Sequence, residues 1–259
     1  MTAYQGGKGR LGKKIARVIN FIEDDLNYAN SRYIEPFCGM CGVMYHMSLH
    51  HRDREIQGID INGDIIEMWR ETQRGWDPPE SCSRQEFENL KRNNRETPSA
   101  VRGFLGSVSS YGNIFMGYYR LHLQPTHRNY VKEGKSRVLK LAKELQGVHF
   151  KQDSYENAVV DGAVVYCDPP YFLNGFKTDH FQQFDHQTFW ETMRKWSSKS
   201  IVIVSERTAP EDFTCIWSLD VNFSINKTSL TKTKECLFLH SSTVSKMSTE
   251  TLVRIQSMS

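Results

Sequence analysis

The stretch AVVYCDPPY, at Ala163–Tyr171, decides the fold that this sequence predicts. Its first five residues are apolar or aromatic and include two valines, which is typical of a strand buried on both faces of a sheet. Pro169 and Pro170 end the strand, because a proline has no amide hydrogen to donate to a neighbouring strand. We therefore expect Asp168 and Tyr171 on a stiff turn at the carboxyl end of the strand, the edge where ligands bind in open α/β sheets.

Length and composition restrict the class of protein. A chain of 259 residues with 39% hydrophobic residues can bury the core of one large α/β domain, or of a domain with an inserted lobe. No apolar run approaches the length of a membrane span and no signal peptide precedes the first motif, so we expect a cytoplasmic protein with no membrane partner. The net charge is only +3, so a nucleic-acid surface would depend on where the charges lie.

The six cysteines are scattered along the chain. Cys38 and Cys41 have the spacing of a zinc-binding pair, but no second pair follows, so we expect no metal. We expect reduced thiols, in keeping with a cytoplasmic setting.

The chain opens with paired glycines and a lysine, in YQGGKGRLG at Tyr4–Gly12. Paired glycines let another group approach the backbone closely, and Lys8 can reach a carboxylate or a phosphate. A disordered basic tail is the alternative, but an amphipathic helix with apolar residues from Leu11 to Leu26 follows at once. A tail rarely leads directly into a core helix, so we interpret the segment as part of a site.

A strand, a glycine loop and an apolar helix follow, in YIEPFCGMCGV at Tyr33–Val43. This order of elements is typical of a site for a nucleotide-like cofactor. The next strand, IQGID at Ile56–Asp60, ends in an acid about twenty residues after the loop, a spacing that suits a ribose diol. Asn62 can cap the helix that follows, which leaves Asp60 free for that role.

Residues 63–148 differ from their surroundings, because helix signals replace strands. Ser83–Glu86 form a capping box, and Thr97–Pro98 begin another helix. An aromatic, glycine-containing loop occupies Ser109–Tyr119, and Arg120–Lys151 contain eight basic and two acidic residues, a local charge of +6. Aromatic residues beside a basic excess indicate nucleic-acid binding, and a helical lobe with a solvated basic face is the alternative.

The remaining strands complete a sheet. The strand VHFKQ at Val148–Gln152 ends at Asp153, a position that an ordinary strand-capping aspartate can occupy. Ser200–Glu206 form a buried strand, and Ile216–Phe223 with Glu235–Leu239 predict a closing hairpin.

Taken together, these motifs resemble the Dam-like adenine methyltransferases of the D12 class. That family carries Tyr-x-Gly-Gly-Lys, Glu-Pro-Phe-x-Gly and Asp-Pro-Pro-Tyr in the same order, and the resemblance covers the catalytic part of the chain. Cys41 stands where the family has a second glycine, and Gly42 follows it. Either the loop is shifted by one residue or cofactor affinity is reduced.

The resemblance implies a reaction, and the residue types explain it. An adenine amino group is a poor nucleophile, because its lone pair is delocalised into the ring. The Asp168 carboxylate and the Pro169 carbonyl would accept its hydrogens, while Tyr171 stacks on a base turned out of the duplex. Pro170 completes the motif. Attack on the methyl group of S-adenosylmethionine is direct, so the resemblance implies no covalent enzyme intermediate and no metal.

The resemblance also implies a cofactor site. The residues expected to hold S-adenosylmethionine are Tyr4, Lys8, Glu35, Pro36, Phe37, Gly39, Asp60, Ile61, Asp153 and Asp168. The opening segment would pack over the methionine part of the cofactor, and Asp153 stands where the family places an acid near the adenine. We expect an α/β fold, a Rossmann-like seven-stranded methyltransferase sheet with a mainly helical target-recognition insert.

The insert would occupy residues 63–148, between residues 1–62 and 149–240 of the catalytic domain, and residues 241–259 would form a mobile tail. The insert is expected to contact double-stranded DNA through Tyr111, Asn113, Phe115, Arg120, Arg128, Lys132, Lys135 and Lys140. We expect the cations to touch phosphates and the aromatic loop to contact bases or fill the gap left by a flipped adenine. A monomer or weak dimer in a bacterial, phage or viral context is expected.

Two other classes remain open. A related amino-methyltransferase could act on cytosine, RNA or protein, although Asp rather than Ser or Asn at position 168 favours adenine. The other class is a catalytically weakened or non-catalytic DNA-binding homologue, which Cys41 in the glycine loop would explain.

Overall fold

The computed structural model of the protein describes residues 8–50, 53–93, 98–111, 114–120, 128–171, 184–226 and 229–258. Two of the predicted site residues, Tyr4 and Asn113, lie outside them. In the described residues the helices are α1 (Gly12–Asp25), α2 (Met44–His50), α3 (Gly63–Gln73), α4 (Arg84–Arg92), α5 (Ala100–Val108), α6 (Tyr130–Glu144), α7 (His186–Ser197), α8 (Ser241–Val244) and α9 (Thr249–Gln256). The strands are β1 (Tyr33–Glu35), β2 (Ile56–Asp60), β3 (Val148–Gln152), β4 (Val164–Cys167), β5 (Ile201–Glu206), β6 (Phe213–Asn226) and β7 (Ser229–His240).

The strands form a seven-stranded sheet in the order β3-β2-β1-β4-β5-β7-β6. β2 and β3 are parallel, as are β1, β4 and β5, whereas β7 is antiparallel to both β5 and β6. From β1 the strand order proceeds in one direction and from β4 in the other, and such a point of reversal is where open α/β sheets bind their ligands. The predicted seven-stranded α/β sheet is confirmed.

The chain divides into two compact units, residues 1–13 with 37–158 and residues 14–36 with 159–259. The first unit contains the parallel pair β2 and β3, in which Ile56 faces Val148 and Asp60 faces Gln152. Its helices α3 to α6 confirm that the region between β2 and β3 is mainly helical. The capping box of Ser83 and Glu86 is present at the start of α4.

Helices α3 and α5 of the first unit meet at a tight, polar junction. A Cβ added at Gly103 of α5 would lie 2.1 Å from the carbonyl oxygen of Asp64, so only glycine allows this approach. The buried Asp64 carboxylate accepts hydrogen bonds from the Arg102 guanidinium and, at 2.8 Å, from the Ser99 amide. Ser99 caps α5, and its side chain accepts from the Arg102 amide, whereas the predicted cap Thr97 lies outside the described residues.

The second unit is built on β4 and β5, whose residues are all buried. Helix α7 packs on β5 through a face that includes Phe189 and Met193, both fully buried. The closing hairpin extends beyond its predicted strands and contains two register shifts, the first between Cys215 and Trp217. The β6 strand therefore bends while it remains paired with β7.

Residues 241–258, which were expected to form a mobile tail, contain helices α8 and α9, and α9 is held against α1 of the same unit. The Ser248 amide and hydroxyl donate to the two oxygens of Asp25, at 2.8 and 2.6 Å. The Arg254 guanidinium lies 4.1 Å from the centre of the Phe21 ring, and Ile255 is fully buried. The Ser248 cap and the buried Met247 and Ile255 hold this Ser-rich segment in place.

No helix among the described residues is both long enough and apolar enough to cross a membrane.

Candidate active site

The glycine loop of the first unit is held by side chains on both sides of one residue. Gly39 has a φ of +43°, a conformation that favours glycine. Its amide donates to Oδ2 of Asp60 at 2.9 Å, and its carbonyl accepts from Nε1 of Trp69 at 2.9 Å. Trp69 is fully buried and stacks on Phe150 with ring centres 5.9 Å apart. Trp69 was not among the predicted site residues, because nothing local to it in the sequence indicates a partner thirty residues away.

The sequence predicted that Asp60 would be free for a ligand, because Asn62 caps α3. In the structure, however, the Asp60 carboxylate already accepts two backbone hydrogen bonds. Its Oδ2 accepts from Gly39 and its Oδ1 accepts from the Asn62 amide at 2.9 Å, so the carboxylate ties the end of β2 to the glycine loop. Burial raises the pKa of the Asp60 carboxyl, and the two backbone amides oppose that shift. A carboxylate has about four lone-pair positions, so two remain for a ligand. The predicted cap of α3 by Asn62 is confirmed, and Ile61 beside it is 76% exposed.

Cys41 has a φ of +55°, in the left-handed region that favours glycine. Its side chain is completely buried. Gly42 has a different function, because a Cβ there would lie 3.0 Å from the Gly9 amide nitrogen and the Lys8 carbonyl carbon.

We predict that the stability of variants at position 41 follows the cost of a positive φ. Cys41→Val should lower the melting temperature and weaken cofactor binding, because a β-branched residue is poorly tolerated at positive φ. Cys41→Gly removes about 1–2 kcal/mol of backbone strain but also a buried side chain, so we expect stability close to that of the parent. Thermal unfolding with and without cofactor measures both. A valine variant as stable as the glycine variant would contradict the strained geometry.

The opening segment packs on this loop within the first unit. Lys8 is buried at 6% exposure, in one turn of 3-10 helix whose carbonyl at Lys8 accepts from the Leu11 amide at 2.9 Å. A Cβ added at Gly12 would lie 2.0 Å from the Gly42 carbonyl oxygen, so two glycines allow the two segments to touch. The structure thus brings Lys8 beside the glycine loop, as the motif order predicts.

The end of β3 carries an aspartate whose oxygens are already in use. Asp153 accepts from the Ser154 amide at 2.8 Å and from Asn157 at 2.7 Å, and its other oxygen lies 2.7 Å from Nζ of Lys151. The bond from Asn157, with Lys151 beside it, lowers the pKa of Asp153 to about 2. The strand-capping alternative therefore accounts for most of its contacts.

Two aromatic residues of the first unit follow the ends of β1 and β3 in the sequence. The centre of the Phe37 ring is 5.2 Å from that of Tyr155, with an angle of 31° between the planes. Tyr155 belongs to the 3-10 turn that follows Asp153. Tyr155 was not among the predicted site residues, and its ring lies beside that of Phe37.

In the second unit, the carboxyl ends of β1 and β4 are neighbours. Tyr33 faces Val164 in the parallel pair, so Glu35 and Pro36 leave the sheet beside the start of the Asp-Pro-Pro-Tyr motif. Glu35 is buried and accepts from the Tyr33 hydroxyl at 2.7 Å. Asp168 is half-buried and Pro169 is buried, immediately after β4.

Tyr171 is fixed through its hydroxyl. That group donates to Oε1 of Glu235 at 2.5 Å and lies 3.3 Å from Oγ of Ser205. Burial, followed by the carboxylates of Asp168 and Glu235, raises the pKa of Tyr171 well above its usual value, so the hydroxyl remains a donor. The Arg207 guanidinium lies 5.8 Å from the centre of the Tyr171 ring.

The aromatic loop of the helical region places two tyrosines in solvent. The Tyr111 amide donates to the Tyr118 carbonyl at 2.7 Å, and the two side chains are 62% and 79% exposed. Lys91 donates to the Gly117 carbonyl at 2.8 Å and lies 5.6 Å from the centre of the Tyr118 ring. Phe115, in contrast, is half-buried and packs on Gly106 of α5, where an added Cβ would lie 2.7 Å from its ring.

The predicted DNA-contacting cations differ in how far they are already paired. Lys135 is 13% exposed and lies 2.7 Å from an oxygen of Asp77 and 3.3 Å from one of Glu80. Lys132 lies 3.7 Å from the same glutamate. Lys140 is exposed and forms no ion pair with any residue that the structure describes.

The two predicted arginines lie around a tyrosine of α6. Arg128 makes two bonds to Glu133, at 2.7 and 2.8 Å, and its guanidinium is 5.3 Å from the centre of the Tyr130 ring. The Arg120 guanidinium is 4.8 Å from the same ring. Among the described residues, no three His, Cys, Asp or Glu side chains form a group that could hold a metal ion.

The sheet order and the motifs at its carboxyl edge define the class of protein as a methyltransferase that uses S-adenosylmethionine. The family model for D12 class N6 adenine-specific DNA methyltransferases matches residues 4–106 and 107–233. The chain belongs to that family. It is therefore an adenine-specific DNA methyltransferase, and the expected activity and cofactor are confirmed.

The chain is also similar to individual proteins. The chain is 26% identical over 218 residues to the retron Ec67 DNA adenine methylase of Escherichia coli, and the alignment covers 76% of this chain and 74% of the relative. Among solved structures it is similar to the rRNA methyltransferase aviRa from Streptomyces viridochromogenes, with a TM-score of 0.39 and 10% identity over 88% of this chain and 86% of that chain. It is also similar to the magnesium protoporphyrin IX methyltransferase ChlM from Synechocystis PCC 6803 with bound SAM, with a TM-score of 0.37 and 8% identity over 89% and 81% of the two chains.

Proposed function

We propose that the chain methylates adenine N6 at defined sites in double-stranded DNA, and that the target base is turned out of the duplex. The observation that carries the residue assignment is the position of Asp168–Tyr171 directly after β4, at the point where the strand order reverses. An exocyclic amine inside a duplex is out of reach of such a motif, so the base has to leave the stack.

The catalytic residues in this proposal are those of the second unit. Asp168 and the Pro169 carbonyl accept the two hydrogens of the amino group, which frees its lone pair for attack. Pro170 keeps the turn rigid, because its ring fixes the backbone. Tyr171 offers a ring whose hydroxyl is already anchored, so its face is held ready for the base. When bound, S-adenosylmethionine supplies the electrophilic methyl group.

The residues of the first unit fit the adenosine part of that cofactor. Asp60 has two lone-pair positions that are not used by Gly39 and Asn62, and a ribose diol has two hydroxyl donors. Ile61 is an exposed apolar side chain beside it, of the kind that covers an adenine ring. Lys8 and Phe37 lie on the segments that adjoin the glycine loop. We assign Glu35 and Pro36 of the second unit to the same ligand through the motif alone.

We assign DNA recognition to residues 63–148. The exposed Tyr111 and Tyr118 are suited to contact bases or to fill the space left by a flipped adenine, because aromatic rings stack on any base. Exposed cations such as Lys140 are suited to phosphates, which position the duplex without reading its sequence. We propose that the enzyme acts on DNA inside the cell, as a monomer or weak dimer.

The cations of α6 provide a prediction about salt. Replacing Lys140 with glutamine should make the slope of log affinity against log salt less steep by about 0.9, because one counterion fewer is released on binding. Replacing Lys135 with glutamine should leave the slope unchanged, since Asp77 and Glu80 already compensate its charge. Fluorescence anisotropy with labelled duplex DNA over a range of salt concentrations measures both slopes.

A variant of an exposed tyrosine is the comparison for the lysine variants. Tyr118→Ala should change the rate or the methylated sequence at fixed salt and leave the salt slope unaltered, and sequencing of methylated sites reports this directly. If Lys140→Gln relaxes the recognised sequence while Tyr118→Ala does not, the two elements have been assigned the wrong way round. Phe115→Ala should mainly destabilise the loop, because Phe115 packs on Gly106.

A filter assay with labelled S-adenosylmethionine tests the proposed substrate. Incorporation into unmethylated double-stranded DNA, with the label in N6-methyladenine after digestion, is the expected result. RNA, protein and single-stranded DNA serve as competing acceptors. Label in RNA or in methylcytosine would contradict the proposal, and cofactor binding without transfer to any acceptor would support the catalytically weakened homologue.

A further inference from the structure

Three side chains of the second unit converge behind the Asp-Pro-Pro-Tyr motif. The Tyr171 hydroxyl donates to Oε1 of Glu235 on β7 at 2.5 Å. The Ser205 hydroxyl on β5 donates to the same carboxylate oxygen, and it lies 3.3 Å from the Tyr171 hydroxyl. The three groups come from different parts of the chain, and β5 pairs with β7, which fixes their spacing.

The cluster is buried, and burial makes its geometry specific. Glu235 is 6% exposed and Ser205 is completely buried. A carboxylate removed from water is costly unless donors satisfy it, so Glu235 is held where both hydroxyls reach it. The same oxygen therefore determines where the far end of the Tyr171 side chain lies.

The Glu235 carboxylate anchors the Tyr171 ring, which is proposed to stack on the target base. Tyr171 is the last residue of the motif and is only half-buried, so its ring is not fixed by packing alone. A stacking group needs an orientation within about 10–20° of the productive one. A hydroxyl bonded at one edge restricts both side-chain torsions without itself covering a face of the ring, one of which the Arg207 guanidinium approaches to 5.8 Å from the ring centre.

We propose that Glu235, together with Ser205, is a positioning residue that orients Tyr171 toward the target base. The proposal rests on the stacking role proposed above for Tyr171. Glu235 itself touches neither the base nor the cofactor in this arrangement. Its effect on methylation passes entirely through the Tyr171 hydroxyl.

The test compares single and double variants in the whole protein. Glu235→Ala and Tyr171→Phe should each lower kcat by about 10- to 100-fold, the usual effect of a misplaced contact group, with unchanged cofactor affinity. Glu235→Gln retains an oxygen that accepts both hydroxyls, so it should recover most of the activity. The double variant Tyr171→Phe/Glu235→Ala should be no slower than either single variant, because both remove the same link.

A merely structural role for Glu235 predicts a different pattern. It would lower kcat and the melting temperature as much in the Tyr171→Phe background as in the parent, and that result would overturn the proposal. Asp212→Ala is the control for stability, since it breaks a two-bond ion pair with Arg194 elsewhere in the unit and should leave kcat unchanged. Tyr171→Phe removes only a hydroxyl, so a parental kcat in that variant also refutes the proposal even if Glu235→Ala does not fold.

A second measurement separates this inference from the catalytic assignment. DNA with 2-aminopurine at the methylated position fluoresces when the base leaves the duplex and is quenched when it stacks on an aromatic ring. We expect Glu235→Ala to raise the emission in the complex, because the ring no longer meets the base. If Asp168→Ala remains active, the proposed catalytic site is wrong. If Asp168→Ala is inactive while Glu235→Ala behaves as the parent, only the positioning role is wrong.

Discussion

Replacing Asp168 with alanine should abolish methylation, with a loss of about 10²–10⁴-fold in kcat, while S-adenosylmethionine still binds. The carboxylate lies directly after β4, where we expect it to accept a hydrogen of the adenine amino group. Without it the nitrogen lone pair stays delocalised in the ring, and the amine remains a poor nucleophile. Radiolabel transfer at saturating cofactor measures kcat, and calorimetry measures cofactor affinity separately.

Two variants control for this result. Asp168→Asn keeps the shape and one accepting oxygen, so it should retain more activity than alanine. Asp185→Ala also removes an aspartate from the second unit, but this one caps helix α7 through the Gln187 and Thr188 amides. It should lower the melting temperature without changing turnover. Near-parental turnover in Asp168→Ala would remove Asp168 from the catalytic site.

Replacing Asp60 with alanine should weaken S-adenosylmethionine binding by about 1–3 kcal/mol, the cost of leaving partners of a buried hydrogen-bonding group unsatisfied. The structure gives this residue two effects. It is expected to accept from the ribose, and it also holds the Gly39 amide at 2.9 Å, so the glycine loop should loosen when it is lost. Isothermal calorimetry measures the affinity, and hydrogen exchange at the loop amides measures the loosening.

Asparagine at position 60 separates these two effects. Its oxygen can still accept from Gly39, but its NH₂ group faces the Asn62 amide, which is also a donor. We expect it to weaken the cofactor less than alanine does and to protect the loop better. Glu71→Ala, which removes a surface ion pair with Arg74, should change neither quantity. Parental affinity in Asp60→Ala would take Asp60 out of the ribose site.

The features that were predictable from sequence are local ones. Five apolar or aromatic residues before Asp168 and two prolines after it predicted the buried strand. The caps at Asn62 and Ser83 were predictable because a cap acts within three residues. The seven-stranded sheet followed from the order of the motifs and the family they resemble. These signals placed the glycine loop, the acid at the end of β2 and the catalytic turn.

What could not be predicted is which distant side chains share a contact. Trp69 and Gly39 are thirty residues apart, Lys135 and Asp77 fifty-eight, and Tyr171 and Glu235 sixty-four. No pattern with the period of a helix or strand contains such a pair, because packing in three dimensions selects it. The same limit explains why the Ser-rich segment at the end of the chain was expected to be mobile, although α9 docks on α1.

The junction between Asp64 and α5 bears on how new specificities could be built. The end of β2, where we propose that Asp60 binds the cofactor, continues through Asn62 into α3, and the buried Asp64 then accepts hydrogen bonds from Ser99 and Arg102. An insert grafted from a relative would have to supply an arginine and a close-packing glycine at the equivalent places. Otherwise the buried Asp64 carboxylate would lose its hydrogen-bond donors, four residues from Asp60. The helical region at 63–148, to which we assign DNA recognition, is therefore not an independently exchangeable unit, and chimeric enzymes should be joined outside α3 and α5 rather than between them.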